Sequence, residues 1–376
     1  MVHVSEISHA RINHPSEVLK PGQQVKVKVM KIEQDKGEYA FPPKFSDYMS
    51  ELAAHGLDPL IVLAFANRNY DGGKTPFTDE GRAGYAGYAA AVARKYGPAV
   101  KAYEVWNEYN GSFCDGPCRK DRPGTYAAML KEAYKSLKAA DPSLTVVGGA
   151  GVPIPLDFFQ GIFDAGALSS MDAIAIHPYR AQAEGVEAKL EALRQLMSRY
   201  GAVKPIWATE FSDIADMRKN PDGAAGYLVR MSTILLSEKV ARIYWYLARD
   251  FEKFQGLGLL HDDDGAAARY TPRPAYVAYA VMIRELDGLQ FAGREGGDPR
   301  VRVYRFSGPG GDVRVAWSTE PGLAYTAAGT GPLRYVTLMG EEKSAAAKGG
   351  EAAIALDANP VYILGPAAGP GAGAAK

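Results

Sequence analysis

Hydrophobic positions over residues 44–286 alternate between two spacings. Phe45, Tyr48, Met49 and Leu52 recur at helical spacing and Gly56 follows as a stop. Residues 60–65 are then continuously apolar, the pattern of a strand buried on both faces. A helix around Tyr85, Tyr88, Val92 and Tyr96 precedes a strand at 102–106. Tyr126, Leu130, Ala133 and Leu137 mark a helix before a strand at 144–148. Helical spacing at 158–163 precedes a strand at 173–176, Leu190, Leu193 and Met197 precede one at 205–208, and a helix over 227–236 precedes one at 241–246. A last helix runs from Pro274, a favourable first-turn residue, to Leu286.

Strict alternation of strands and helices predicts parallel α/β architecture. An open doubly wound sheet usually carries a glycine-rich phosphate loop after its first strand, and neither G-x-G-x-x-G nor G-x-x-x-x-G-K-[ST] occurs. A closed barrel needs two strands more than the six in this stretch. Residues 2–7 and 24–30 read as strands around a short helix at 14–19, which fits in order. Their composition fits less well: alternating Val and Lys over 25–29 marks a half-solvated strand rather than an internal barrel strand. After Leu286, short strands at 301–304, 313–317 and 360–364 between Gly and Pro turns predict an antiparallel sheet. The expected fold is therefore α/β, an eight-stranded β/α (TIM) barrel with a small C-terminal antiparallel β domain. In this division residues 1–36 supply the first two barrel strands and 37–288 form the barrel. Residues 289–366 form a β-sandwich-like domain, and the Gly/Pro/Ala-rich 367–376 is a disordered tail.

Composition narrows the function classes. The 376 residues are 47% hydrophobic and 23% charged, which supplies a core and excludes a mainly disordered chain. Lys+Arg and Asp+Glu both number 43, so the basic excess of a general polyanion binder is missing and nucleic acid is not the expected partner. No apolar run of about 18 residues occurs, so no membrane helix is expected. The first residues lack the basic-then-apolar layout of a signal peptide, which places the chain as written in the cytoplasm; a secreted or periplasmic parent enzyme stays open. The 22 Tyr, 13 Phe and 4 Trp suit a core and also suit sugar-stacking surfaces.

In a β/α barrel the chemistry stands at the C-terminal ends of the strands. Those ends carry Asn67 and Arg68, then Asn107 and Glu108, then His177 and Tyr179, then Glu210, then Trp245. Glu108 and Glu210 end strands three places apart and face each other across the mouth. Two opposed carboxylates are what glycoside hydrolysis needs: one donates a proton to the leaving oxygen, the other attacks or activates water at the anomeric carbon. His177 and Tyr179 can hold a carboxylate by hydrogen bonds, Asn107 can donate to a sugar hydroxyl, and Trp245 offers an apolar platform. The plainer readings are a core histidine for His177, packing for Trp245, loop shaping for Asn67, Arg68 and Asp71, and a surface pair for Arg249 and Asp250.

Trp106-Asn107-Glu108, with Glu210 ending a later strand and Trp245 on the last, resembles the large clan of retaining glycoside hydrolases on β/α barrels. Residues 37–286 are most similar to family 39, which includes β-xylosidases, iduronidases and exopolysaccharide-degrading enzymes. The supporting segments are Lys36–Phe41, Asn69-Tyr70-Asp71-Gly72-Gly73 with Thr78-Asp79-Glu80-Gly81, His177-Pro178-Tyr179, and Pro272-Arg273-Pro274-Ala275-Tyr276. The resemblance implies Glu108 as acid/base and Glu210 as nucleophile, a carbohydrate substrate, and no cofactor or metal. Tyr109 stands where the family more often has proline.

Residues 2–36 resemble instead the second half of the RNA-binding OB domain repeated in a small-subunit ribosomal protein, so the chain reads as a chimera. The arginine that the hydrolase clan carries at the end of its second strand has no counterpart; Lys28, Met30 and Lys31 stand there. Two other readings follow: a catalytically impaired carbohydrate-binding protein, and an RNA-binding fusion. The latter meets half an OB fold, which needs five strands. The oligomeric state is open, with a dimer expected if one chain does not close its barrel. Cys114 and Cys118 fit a small disulfide or a reduced pair equally. Zinc lacks further nearby ligands, and His261-Asp262-Asp263-Asp264-Gly265 is a solvated turn rather than a calcium loop.

Overall fold

The structure is a computed structural model. It describes residues 41–213, 220–250, 254–262 and 267–365, together with the backbone strands Gln24–Lys28, Glu33–Asp35 and Glu38–Ala40. The expected strand at 2–7, the helix at 14–19, Met30 and Lys31, the turn at 263–264 and the tail at 367–376 lie outside the described residues.

A single sheet of seven strands organises the first part of the chain. In spatial order these are β1 (Gln24–Lys28), β4 (Asp58–Leu63), β5 (Ala102–Val105), β6 (Thr145–Gly151), β7 (Ala173–Ile176), β8 (Ile206–Phe211) and β9 (Arg242–Trp245), and each neighbouring pair is parallel. β2 (Glu33–Asp35) and β3 (Glu38–Ala40) form a separate hairpin. The sheet coils far enough that β1 and β9 approach with Cα atoms within 8 Å. The strand expected over 24–30 is thus found at Gln24–Lys28, in register with Asp58–Val62.

Parallel strands need crossovers, and helices supply them. These are α1 (Pro43–Ala54), α2 (Asp79–Tyr96), α3 (Arg122–Ala140), α4 (Leu156–Asp164), α5 (Val186–Arg199), α6 (Pro221–Ser237) and α7 (Pro274–Leu286). Their starts follow local chemistry. Thr78, Asp121 and Asn220 each accept a hydrogen bond from a glycine amide in the first turn of α2, α3 and α6, and proline occupies the first turn of α1, α3, α6 and α7. None of the described helices is long and apolar enough to cross a membrane.

The inner face of the sheet is filled by alternate strand residues. Leu60, Ala102, Val147, Ala150, Ala173, Ala175, Trp207 and Tyr244 form one buried cluster. The interior of a small barrel is crowded, so the alanines on three strands leave the room that Trp207 and Tyr244 occupy.

The chain divides into two compact units. One carries the parallel sheet and α1–α5; the other carries residues 180–185, α6, α7 and the C-terminal strands. In the second unit, β10 (Gln290–Glu295), β11 (Val301–Gly308), β12 (Gly311–Ser318), β17 (Val361–Leu364), β14 (Leu333–Val336) and β15 (Glu342–Ala345) form an antiparallel sheet in that order. β13 (Leu323–Ala328) pairs with β16 (Glu351–Leu356). Val303, Ala316 and Ile363 of the larger sheet meet Ile354 and Leu356 of the smaller in one core, and Tyr304 stacks on Trp317 at 5.1 Å. Five of these strands, β10 and β13 to β16, are additional to those read from the sequence.

One expectation is corrected. Arg249 and Asp250 are not a surface pair: they are 6% and 0% exposed. Asp250 instead pairs with Arg273 and accepts from the Gly258 amide at 2.6 Å. A carboxylate that deep needs a cation and a backbone donor to remain ionised, and neither is adjacent in sequence.

Candidate active site

The site is built at the C-terminal ends of β5, β7 and β8. In a strand, residues i and i+2 share a face. Ala102 lies in the inner cluster, so Glu104 lies on the inner face too; Ala173 and Ala175 place His177 likewise, and Trp207 places Thr209. These three side chains meet inside the sheet. Thr209 Oγ1 donates to Glu104 Oε1 at 3.1 Å, and the same oxygen lies 3.5 Å from His177 Nε2. Glu104, His177 and Thr209 are all fully buried.

The catalytic candidates stand one layer above. After β5 the chain turns sharply, with Trp106 at φ 65° and Glu108 at φ 41°. Non-glycine residues in this left-handed region cost about 1–2 kcal/mol each, and they persist only where the surroundings fix them. The surroundings here do so. The Trp106 amide donates to Leu63 O at 3.1 Å, its indole donates to Phe113 O at 2.9 Å, and its ring meets Phe65, Tyr85 and Tyr109 edge-on. Asn110 bonds both the amide and the carbonyl of Val152, pinning this turn to the loop after β6.

Glu210 reaches the same place by another device. Simple alternation from Trp207 and Thr209 would turn Glu210 to the outer face. The pairing of β8 with β9 shifts register between Ala208 and Phe211, and such an irregularity re-aims a side chain. Glu210 Oε2 accepts from Tyr179 Oη at 3.1 Å.

His177 Nδ1 stands between the two acids, 3.0 Å from Glu108 Oε1 and 3.6 Å from Glu210 Oε2. These three atoms lie within 4.8 Å of one another. Two carboxylates and an imidazole are donors a divalent cation can use, but here they satisfy one another. Both glutamate side chains are 16% exposed. Burial, and then the Glu210 charge, pushes the Tyr179 phenol well above its ordinary range, so Tyr179 remains a donor. Burial acts on Tyr246 in the same direction, followed by the charges of Glu210 and Glu108.

The structure therefore brings Glu108, Glu210, His177 and Tyr179 together. Asn107 is buried beside Glu108 in the turn. Trp245 is half-buried at the end of β9 with its ring edge-on to Phe211 at 5.5 Å, and Tyr246 lies 6.5 Å from Tyr179. Asn67 and Arg68 occupy the loop after β4, where Asn67 Oδ1 accepts from the Asn69 amide at 2.9 Å and Arg68 is exposed. Cys114 and Cys118 form a disulfide in the loop that follows Glu108. The sequence reading passed over Glu104 and Thr209. The available signal was an acid inside an otherwise apolar central strand, which is costly unless partnered.

Two segments of the chain match known protein families. Residues 125–270 match the glycosyl hydrolase catalytic core, and residues 1–41 match the S1 RNA binding domain. The fold is similar to a family 39 glycoside hydrolase from Bacteroides cellulosilyticus WH2, with TM-score 0.76, 24% identity, and coverage of 91% of this chain and 75% of that one. It is also similar to a monomeric beta-xylosidase from Caulobacter crescentus CB15, with TM-score 0.60, 16% identity, and coverage of 91% and 89%. Among curated proteins, a small ribosomal subunit protein bS1 homolog of Bacillus cereus is 57% identical over 35 residues, which is 9% of this chain and 9% of that protein. The chain thus spans less than a tenth of the length of the curated relatives it matches. The chain is thus similar to an S1 domain at its N-terminal segment and to a glycosyl hydrolase catalytic core over residues 125–270.

Proposed function

We propose that the protein is a retaining glycoside hydrolase acting on a β-linked glycoside. The carrying observation is the pairing of Glu108 and Glu210 around His177 Nδ1, with one oxygen of each acid within 4.8 Å of the other. Retaining enzymes hold their carboxyl groups about 5–5.5 Å apart, whereas inverting ones leave about 6.5–9.5 Å for a water. The close approach favours retention.

In this reading Glu108 gives its proton to the glycosidic oxygen as Glu210 attacks the anomeric carbon. The bond from that carbon to the leaving oxygen breaks and an ester to Glu210 forms. Glu108, now anionic, takes a proton from the water that displaces Glu210. Tyr179 orients the Glu210 carboxylate through its 3.1 Å hydrogen bond. Asn107 addresses a sugar hydroxyl, and Trp245 with Tyr246 presents ring faces to the bound sugar. Phe65 and Phe113 are stacked on each other at 5.2 Å and remain more than a third exposed. They rest beside Trp106, on the acid/base side, and offer an apolar surface to the leaving group. β1 brings one strand of the N-terminal segment into the parallel sheet, beside β4.

A panel of β-linked aryl glycosides, with the anomer formed first identified by proton NMR, tests this. Hydrolysis with retained configuration is expected. Inverted product, or Glu210→Gln with undiminished turnover, overturns it.

A further inference from the structure

Glu104 is the buried acid that the proposed chemistry leaves unused. It is fully buried on β5, and two groups face Oε1: the Thr209 hydroxyl at 3.1 Å and His177 Nε2 at 3.5 Å. We propose that Glu104 is a positioning residue whose charge keeps His177 doubly protonated, so that Nδ1–H can serve Glu108 and Glu210 in turn. This rests on the retaining reading given above.

A neutral imidazole has one N–H. Carboxylates face both nitrogens, so that proton serves one side only, and with it on Nε2 the Nδ1 atom becomes an acceptor. An acceptor at 3.0 Å from Glu108 Oε1 would draw the proton that Glu108 must give to the leaving oxygen. An imidazolium has N–H on both sides. Nε2–H then faces Glu104 and Nδ1–H faces the acids, so the ring competes for no proton.

The reaction moves one negative charge between the two glutamates. Before attack Glu210 is anionic and Glu108 neutral. After attack Glu210 is an ester, its former proton-donor partner Glu108 is anionic, and the proton has left on the aglycone oxygen. Throughout, the pair carries one charge, and Nδ1, within 3.0 and 3.6 Å of its two sites, can donate to whichever oxygen holds it. Glu104 and His177 together are neutral, so this donor costs the closed interior no net charge.

Among the described residues, the titratable groups that face the ring include Glu104 from β5, Glu108 from the turn after it, Glu210 from β8 and Tyr179 from the end of its own strand. Around Glu104 stand Tyr85, Tyr126 and Tyr244, whose phenols burial keeps protonated. In this proposal the positive charge that balances the carboxylates sits on His177. An opposite charge this close favours the protonated ring, against the burial that disfavours it.

The test is the protonation state of His177, followed by the nitrogen shifts of labelled imidazoles and assigned by its absence from His177→Asn. In the native protein the imidazolium signature is expected to persist at pH 7.5. In Glu104→Gln, which keeps shape and removes charge, the ring is expected to turn neutral at least about one pH unit lower. The alkaline limb of kcat/KM is expected to move by the same amount, with KM little changed and Glu104→Asp restoring part of the shift. A His177 already neutral at pH 7 in the native protein overturns the proposal, as does a Glu104→Gln protein with unmoved histidine signals. If Glu104→Gln does not fold, the native titration alone decides. If no glycoside is turned over, the spectrum still tests Glu104 against His177, and only the catalytic reading falls.

Discussion

Each compact unit buries one ionised cluster, and the two are composed on opposite principles. In the second unit Asp250 meets Arg273 one to one, and the Gly258 amide fills a remaining lone pair at 2.6 Å. The carboxylate thus has a cation and a backbone donor of its own. In the first unit three carboxylates, Glu104, Glu108 and Glu210, crowd a single imidazole. Stability alone does not favour that excess, since a third acid must either be desolvated with its charge or hold a proton at neutral pH. An arrangement that a stability argument would remove is what a reaction requires: acids close enough to push their proton affinities apart. The balanced cluster reads as architecture, and the unbalanced one as chemistry.

The largest test of this contrast is Glu210→Gln. Activity on an aryl glycoside is expected to fall by at least about 10⁴-fold, since removing a group that acts as a unit with its partners removes the chemical step. Its melting temperature is expected to hold or rise, because one of the crowded charges is gone. A coordinated fall in stability and activity would make Glu210 a structural acid. The second unit should respond in the opposite way. Arg273→Met leaves Asp250 buried without its cation, and urea unfolding is expected to show a loss of about 3–5 kcal/mol. A loss under about 1 kcal/mol would mean that water reaches Asp250 and that its burial does not matter. Tyr179→Phe should fall between these in activity. It deletes one hydrogen bond to a charged oxygen, worth about 1.5–3 kcal/mol, so kcat is expected to drop roughly 10–100-fold with little change in unfolding midpoint.

The same contrast explains what could be read from the sequence. Strands buried on both faces announce themselves as apolar runs, so 60–65, 102–106, 173–176 and 205–208 were legible, and so were the polar residues that end them. Glu104 was hidden inside one of those runs because its partners, His177 and Thr209, are 73 and 105 residues away along the chain. That Glu210 turns toward Glu108 was not legible at all: alternation predicts the outer face, and the register shift beside Ala208 arises from pairing with β9. Asp250 was read as exposed for a similar reason, its cation lying 23 residues further on. β13 and β16 escaped because Ala-rich strands carry little apolar contrast; only the paired structure shows Ala352, Ile354 and Leu356 turned inward together.

A third carboxylate sharpens the comparison at the small end of the scale. Asp71, at φ 49° in the loop after β4, is neither crowded by acids nor matched with a buried cation. Burial pushes its carboxyl up, but the Thr78 hydroxyl at 2.6 Å and the amides of Phe77 and Thr78 outweigh that and hold it below the ordinary range. Thr78 in turn caps α2 by accepting from the Gly81 amide at 3.0 Å. A folded value below the unfolded one, about 3.9, means that Asp71 stabilises the fold above that pH and ceases to do so as the pH falls through the lowered folded value. Asp71→Asn should therefore cost roughly 1 kcal/mol at pH 7, in the range of a lost helix cap, and the gap from the native protein should narrow as the solution is taken toward pH 2. Chemical unfolding at several pH values reads this directly. A gap that stays constant with pH would show that the loop uses the shape of Asp71 and not its charge.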